Sequence, residues 1–246
     1  MKQAQHFFIG THSILDSYSA GQYEQDALSV LSSLFISSDV VILTGGSMMY
    51  VDAVCYGLDD IPTVDEKTRE YWQNIYKEKG LSVIQDELIR LDPIHASQVD
   101  LKNYKRVLHA LEICTITGKP FSELRTGIKK NRDFNVLKIG LNRPRHELYE
   151  RINKRVDSMM EDGLLDEARQ FLSYRHLNSL NTVGYKEIFD YLEGKYSLEE
   201  AVEKIKQNSR RYAKRQLTWF NRDESITWFH PDDIDNIVSF INKSID

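Results

Sequence analysis

The chain has 246 residues, long enough to bury a sizeable core as one domain or as one domain with an insertion. With 41% hydrophobic and 28% charged residues it excludes wholesale disorder. A formal net charge of −5 excludes a protein that holds polyanions by bulk charge, so any anion site must be local.

Met1 to Leu15 read as an extended lead-in, His6-Phe7-Phe8-Ile9, followed by a polar turn. Asp16-Ser17-Tyr18-Ser19 supplies short polar side chains that can cap a helix over 22–37, whose apolar side is Leu28, Leu31, Leu34 and Phe35. The run Val40-Val41-Ile42-Leu43 predicts a strand buried on both faces, as in a parallel sheet. Thr44-Gly45-Gly46-Ser47 follows it and leads into a helix from Met48 to Tyr56, stopped by Gly57. A strand, a glycine pair and a helix in that order serve either as a tight turn or as an anion site.

From Pro62 to Leu124 only helical patterns occur, at 65–79, 81–91 and 102–117, and this block reads as an all-helical insertion. Lys102, Lys105, Arg106 and His109 crowd the start of its third helix, opposite Val107, Leu108 and Leu111. Apolar residues at 134–141 predict a return to the sheet, and Pro144 opens a helix at the position proline favours. On that helix Arg155 borders the buried arc of Leu148, Ile152, Val156 and Met159, as a snorkelling cover or as a ligand. A helix at 164–174 and a glycine loop, Asn181 to Lys186, precede a helix at 186–193.

Ser197-Leu198-Glu199-Glu200 is a capping-box-like start for the most basic stretch of the chain. At about 100° per residue, Ala201, Val202, Ile205, Tyr212, Ala213, Trp219 and Phe220 share one arc. Lys206, Arg210 and Lys214 form a row on one side of it, and Lys204, Arg211 and Arg215 a row on the other. Arginines with interleaved aromatics and few balancing acids fit phosphate, and nucleic-acid phosphate above all. Gln216 falls inside the apolar arc, where an amide is costly unless hydrogen-bonded. A strand at 225–229 and a helix at 232–243 complete the pattern. Cys55 and Cys114 sit in apolar helical contexts without ligand-spaced partners, which fits a reducing compartment and no protein-held metal. No apolar run approaches membrane length and no secretory leader opens the chain. A cytoplasmic protein with no membrane contact and no evident protein partner is expected.

The motifs Tyr18-Ser19-Ala20, Asp26-Ala27-Leu28, Thr44-Gly45-Gly46-Ser47-Met48-Met49-Tyr50, Arg106 with Ala110-Leu111-Glu112 and Thr117-Gly118-Lys119 occur in order. Arg151 to Arg155, Gly163-Leu164, Val183-Gly184-Tyr185-Lys186-Glu187 and Arg211-Tyr212-Ala213-Lys214-Arg215-Gln216-Leu217-Thr218-Trp219-Phe220 follow. Together they resemble the tRNA dimethylallyltransferases, also called tRNA isopentenyltransferases, over essentially the whole chain. The resemblance implies a P-loop-type α/β core with a parallel sheet, formed by 1–58 and 126–246, and an all-helical insertion, 59–125, that grips the tRNA anticodon stem-loop. It implies transfer of a dimethylallyl group from dimethylallyl diphosphate to N6 of the adenine 3′ of the anticodon, with Mg²⁺ assisting the departing diphosphate.

Residue by residue, the resemblance puts Arg155 on the diphosphate and Thr44, Gly45, Gly46, Ser47 and Tyr50 in the substrate channel. It puts Lys105, Arg106, His109, Thr182, Gly184, Tyr185, Lys186, Lys214, Arg215, Gln216 and Trp219 against tRNA, with Gln216 at a base-binding face. The family also carries a Gly-rich loop ending Gly-Lys-Thr or Gly-Lys-Ser and an Asp proposed as the base for the amine. None of the twelve glycines forms G-x-x-x-x-G-K-[ST], and the Asp-containing stretch has no match. The expectation is therefore an N-terminally truncated chain with little transfer activity of its own and a sheet short of strands. An RNA-binding module without catalysis is the alternative.

Overall fold

A computed structural model describes residues 4–245, which form two compact units. One comprises 23–41 and 52–133, the other 4–22, 42–51 and 134–245. The first three residues of the expected lead-in lie outside the described residues. The rest of it does not run extended as expected: it bends at 8–10, and Phe8 holds a φ of 63°.

The first unit is helical because its apolar residues recur at helical spacing. It takes most of α1 (Ala20–Leu34) and the second half of α2 (Met48–Tyr56), then α3 (Glu66–Lys79), α4 (Leu81–Leu91), α5 (Pro93–Gln98), α6 (Tyr104–Thr117) and α7 (Phe121–Leu124). Its core sits between α3, α4 and α6, with Ile84, Leu88, Val107, Leu111 and Ile113 all fully buried. Each such side chain stabilises the unit by about 1.5–3 kcal/mol. Trp72 closes the core and donates its Nε1–H to Thr115 Oγ1 at 2.9 Å. The expected insertion, 59–125, lies within this unit, which also takes in 23–41, 52–58 and 126–133.

Two polar clusters hold the unit's ends. Asp59 accepts from Thr126 N at 3.1 Å, Thr126 Oγ1 at 2.6 Å and Gly127 N at 3.0 Å, tying the residues that enter the helices to those that leave them. Arg132 donates to the α2 carbonyls of Ala53 at 2.6 Å and Val54 at 2.9 Å and to buried Glu24 at 2.8 Å. The guanidinium thereby supplies a donor to the Val54 carbonyl and a second donor, beside the Gly57 N–H, to the Ala53 carbonyl at the helix C-terminus.

In the second unit β1 (Lys138–Leu141) and β2 (Ile226–Phe229) pair in parallel, Lys138 opposite Ile226 and Leu141 opposite Phe229. Around them run α8 (Arg145–Glu161), α9 (Leu164–Gln170), α10 (Tyr185–Leu192), α11 (Leu198–Phe220) and α12 (Ile234–Ile245). Short 3₁₀ turns at Leu172–Tyr174 and Asn178–Leu180 replace the last turn of the helix expected at 164–174 and part of the loop after it. Val156, Leu164, Ala168, Leu180, Ile188, Phe189 and Ile205 form the core. The chain is thus helix-rich α/β with a small parallel sheet.

One expected strand is absent. Residues 40–43 pair with no strand among the described residues, and Val40 and Ile42 are 50% and 83% exposed. A strand needs a neighbour to take its N–H and C=O groups, and the described ladder consists of β1 and β2 alone. Among the described residues no helix is long and apolar enough to cross a membrane.

Candidate nucleic-acid interface and glycine turn

α11 starts where Ser197 Oγ accepts the Glu200 N–H at 3.2 Å and Glu200 returns a bond to the Ser197 N–H at 3.0 Å. Ala201 and Ile205 bury its first half, while its second half leaves the core. Tyr212, expected on the apolar arc, is 38% exposed. The expected row of Lys206, Arg210 and Lys214 also divides. Lys206 is held by Asp157 on α8 at 2.7 Å, and that bond raises its pKa. Arg210 donates to Asn153 Oδ1 at 2.6 Å and covers the Tyr149 ring. These two cations fasten α11 to α8, so the row does not face solvent as a unit.

On the other row Lys204 is exposed beside the Tyr196 ring, and the remaining solvent-facing cations lie at 211–215. Arg211 touches only its own helix, at Asn208 Oδ1, 3.2 Å away. Arg215 rests over the exposed Tyr212 ring, and Lys214 is exposed. Neither Lys214 nor Arg215 has an ion-pair partner among the described residues. This is a local cationic face on an acidic chain, suited to backbone phosphates. Trp219, one turn on, is half-buried with Arg222 over its ring.

Gln216 explains its own place in the arc. Its Nε2–H donates to the Gly46 carbonyl at 2.7 Å. A Cβ on Gly46 would lie 2.1 Å from that nitrogen, so glycine is what permits the approach. The Gly45-Gly46 turn and α11 are thus joined, with Thr44 and Ser47 exposed beside the junction and Tyr50 half-buried one turn into α2. Gly46→Ala is expected to swing the amide away and destabilise the unit by about 1 kcal/mol, the net weight of one neutral hydrogen bond, read from urea unfolding.

The loop before α10 is held by an acid that pattern reading missed. Glu187 is buried, and its carboxylate accepts from Gly184 N at 2.8 Å and from Asn208 Nδ2 on α11 at 2.7 Å. Gly184 has a φ of 109°, which favours glycine. Tyr185 is half-buried and donates its hydroxyl to Glu167 at 2.5 Å; burial first, then that bond, push its pKa up to about 12. Thr182 and Lys186 remain exposed at the loop surface. An acid three residues after a glycine and just before Ile188-Phe189 was the available signal for Glu187.

Arg155 projects from α8 into solvent and has no hydrogen bond or ion pair among the described residues. No described contact joins it to the 44–50 turn. In the helical unit, Lys105 and Arg106 are exposed at the start of α6 above buried Val107 and Leu108. His109 is exposed too, 3.8 Å from Glu112 and edge-on to Phe121.

Comparison with known proteins gives this geometry a family. The model of the IPP transferase family matches residues 1–223. The chain is 58% identical to tRNA dimethylallyltransferase 1 of Bacteroides thetaiotaomicron over 98% of its own length and 78% of that protein. It is 46% identical to tRNA dimethylallyltransferase of Cytophaga hutchinsonii over 98% of its length and 79% of that protein. Among solved structures it resembles a tRNA isopentenylpyrophosphate transferase of Bacillus halodurans with a TM-score of 0.68 and 35% identity, covering 100% of this chain and 80% of that one. A eukaryotic dimethylallyltransferase, described as acting on tRNA, aligns with a TM-score of 0.69 and 25% identity over 90% of this chain and 59% of that one. The fold, a helix-rich α/β protein with a helical unit and a cationic helix beside a glycine turn, is that of a nucleic-acid-modifying transferase. The chain belongs to the IPP transferase family, the tRNA dimethylallyltransferases.

Proposed function

We propose that the chain takes part in tRNA prenylation: transfer of the dimethylallyl group from dimethylallyl diphosphate to N6 of the adenine 3′ of the anticodon. In this reaction the amine nitrogen forms a bond to the allylic carbon, the allylic C–O bond breaks, diphosphate leaves with the bonding pair and the amine loses a proton. The observation that carries the reading is the junction of the cationic half of α11 with the glycine turn through Gln216 and Gly46. It brings a phosphate-binding face and a close-approach backbone turn into one contact.

In this reading the exposed Lys214 and Arg215, with Thr182 on the loop before α10 and Lys186 in the first turn of α10, take the RNA backbone. Buried Gly184, whose N–H is held by Glu187, shapes the loop, and Tyr185, Gln216 and Trp219 are the packed support of that face. Lys105, Arg106 and His109 present a second cationic edge for the anticodon stem-loop. Thr44, Gly45, Gly46, Ser47 and Tyr50 line the prenyl channel. Arg155 sits on the diphosphate, where negative charge grows as the C–O bond breaks. Its free, exposed guanidinium supports that role over a snorkelling one.

Among the described residues no three His, Cys, Asp or Glu side chains converge on one point. Mg²⁺ would arrive on the diphosphate and screen the charge of the leaving group. A cytoplasmic setting follows from tRNA as substrate; burial pushes the pKa of the Cys114 thiol up.

The test is incubation of the chain with an anticodon stem-loop and dimethylallyl diphosphate labelled in the allyl carbons. RNA binding is expected of this chain, and label on the adenine N6 of the same chain extended by a Gly-rich loop ending Gly-Lys-Thr or Gly-Lys-Ser. Absence of RNA binding contradicts the proposal. Binding without transfer by the extended chain favours an RNA-binding module without catalysis.

A further inference from the structure

The bond from Gln216 to Gly46 constrains more than the two residues that make it. A peptide group is planar and trans, so fixing the Gly46 C=O also fixes the Ser47 N–H, which points the opposite way in the same plane. The amide of Gln216 draws that carbonyl toward α11 at 2.7 Å. The Ser47 N–H is therefore aimed away from α11, at the head of α2, whose first bonds run from Tyr50 N and Val51 N to Ser47 O, both at 3.0 Å. The Ser47 N–H itself has no hydrogen-bond partner among the described residues, and Ser47 is exposed.

The other end of the lever is α11. It is a continuous 23-residue helix, and Gln216 directly follows Lys214 and Arg215 on it. Lys206 and Arg210 clamp the helix to α8. Further along, the Gln216 amide ties the helix to the glycine turn. Phosphates held by Lys214 and Arg215 would immobilise the same turn of helix that carries the amide.

We propose that Gln216 is a positioning residue: through the Gly46 carbonyl it sets the Gly46–Ser47 peptide, so that RNA seated on α11 orders the glycine turn and presents the Ser47 N–H. The inference rests on the proposed function for its RNA and for the turn's role as prenyl channel. Gln216 touches neither substrate in this scheme. It couples RNA engagement to the geometry of a backbone donor.

The experiment is amide hydrogen exchange on the full chain, with and without an anticodon stem-loop, for the parent, Gln216→Leu and Gly46→Ala. The second variant evicts the amide from the opposite side. In the free protein both variants should speed exchange of the Tyr50 and Val51 amides, the first that bond to Ser47 O, by about fivefold, the effect of losing one neutral hydrogen bond, with exchange in α8 to α10 unchanged. Added RNA should slow exchange at 50–51 in the parent. RNA is added at a concentration that saturates each protein, and in both variants bound RNA should fail to slow exchange there. RNA binding that protects the turn equally in parent and variants overturns the proposal. If the parent binds no RNA, the proposed function fails, and the free-protein comparison decides on Gln216: unchanged exchange at Tyr50 and Val51 overturns its positioning role, and faster exchange upholds it. Gln216 is only half-buried, so Gln216→Leu is compatible with folding, and Gly46→Ala reports independently.

Discussion

In the chain extended by the family's Gly-rich loop, replacing Arg155 by alanine is expected to lower the rate of allyl transfer about 100-fold or more at saturating substrates, the usual effect of removing one preorganised group from a developing charge. RNA affinity should stay near that of the parent, because the RNA contacts are assigned to α11, the loop before α10 and the start of α6. The physical ground is the condition of the guanidinium. Lys206 and Arg210 are engaged between α8 and α11, and Arg143 is paired with Asp232 at 2.6 Å, which raises its pKa. Arg155 is exposed with no partner among the described residues, so its charge is available to a ligand. Single-turnover transfer, with inorganic diphosphate titrated in parallel, is the check. A variant with the parent's rate and the parent's diphosphate affinity would return Arg155 to a side chain that covers the core.

Asp92→Ala should destabilise the helical unit by about 3 kcal/mol at neutral pH, the combined weight of a helix cap and of hydrogen bonds to a charged group. Asp92 is 1% exposed. Its carboxylate caps α5 by accepting the His95 N–H at 2.9 Å, and it holds α7 through Ser122 N and Ser122 Oγ, both at 2.7 Å. Burial works to raise its pKa, but these bonds outweigh burial and hold it below the ordinary carboxylate value. A group depressed in the folded state stabilises above its unfolded pKa of about 4 and ceases to as pH falls through the folded value. His95 acts in the same direction: burial lowers its pKa, so the unfolded chain takes up the proton first as pH drops below about 6.5. Parent stability should thus decline in two stages on acidification, and the gap between parent and Asp92→Ala should narrow below about pH 4. Urea unfolding at a series of pH values tests this; a gap that stays constant to low pH would show that the Asp92 bonds do not depend on its charge.

What the sequence made legible follows from local physics. Helices with strong periodicity and good punctuation appear where expected, among them Met48–Tyr56, Leu81–Leu91 and the long helix after Ser197. The strand at 40–43 was misread because four branched apolar residues describe a preference, while a strand exists only if another strand takes its hydrogen bonds. α5 and α7 were missed because helices of six and four residues carry too little periodicity and owe their form to Asp92 and its partners. The cationic helix was legible in charge but not in availability: which cations are spent on Asp157 and Asn153 is a tertiary fact. Gln216 was flagged as an amide needing a partner, yet its partner lies 170 residues away, at Gly46.

The central claim is that the exposed cations in the second half of α11 hold tRNA by its backbone, and salt dependence reads this directly. Binding of an anticodon stem-loop should be measured across a salt series for the parent and for Lys214→Ala combined with Arg215→Ala, with circular dichroism as the folding control. Neither side chain is buried, so both proteins should fold alike. The account predicts weaker binding by the double variant and a slope of log K against log salt shallower by about 1.4 to 1.8, the release of ions from two phosphate contacts. Coincident slopes from two folded proteins would contradict it.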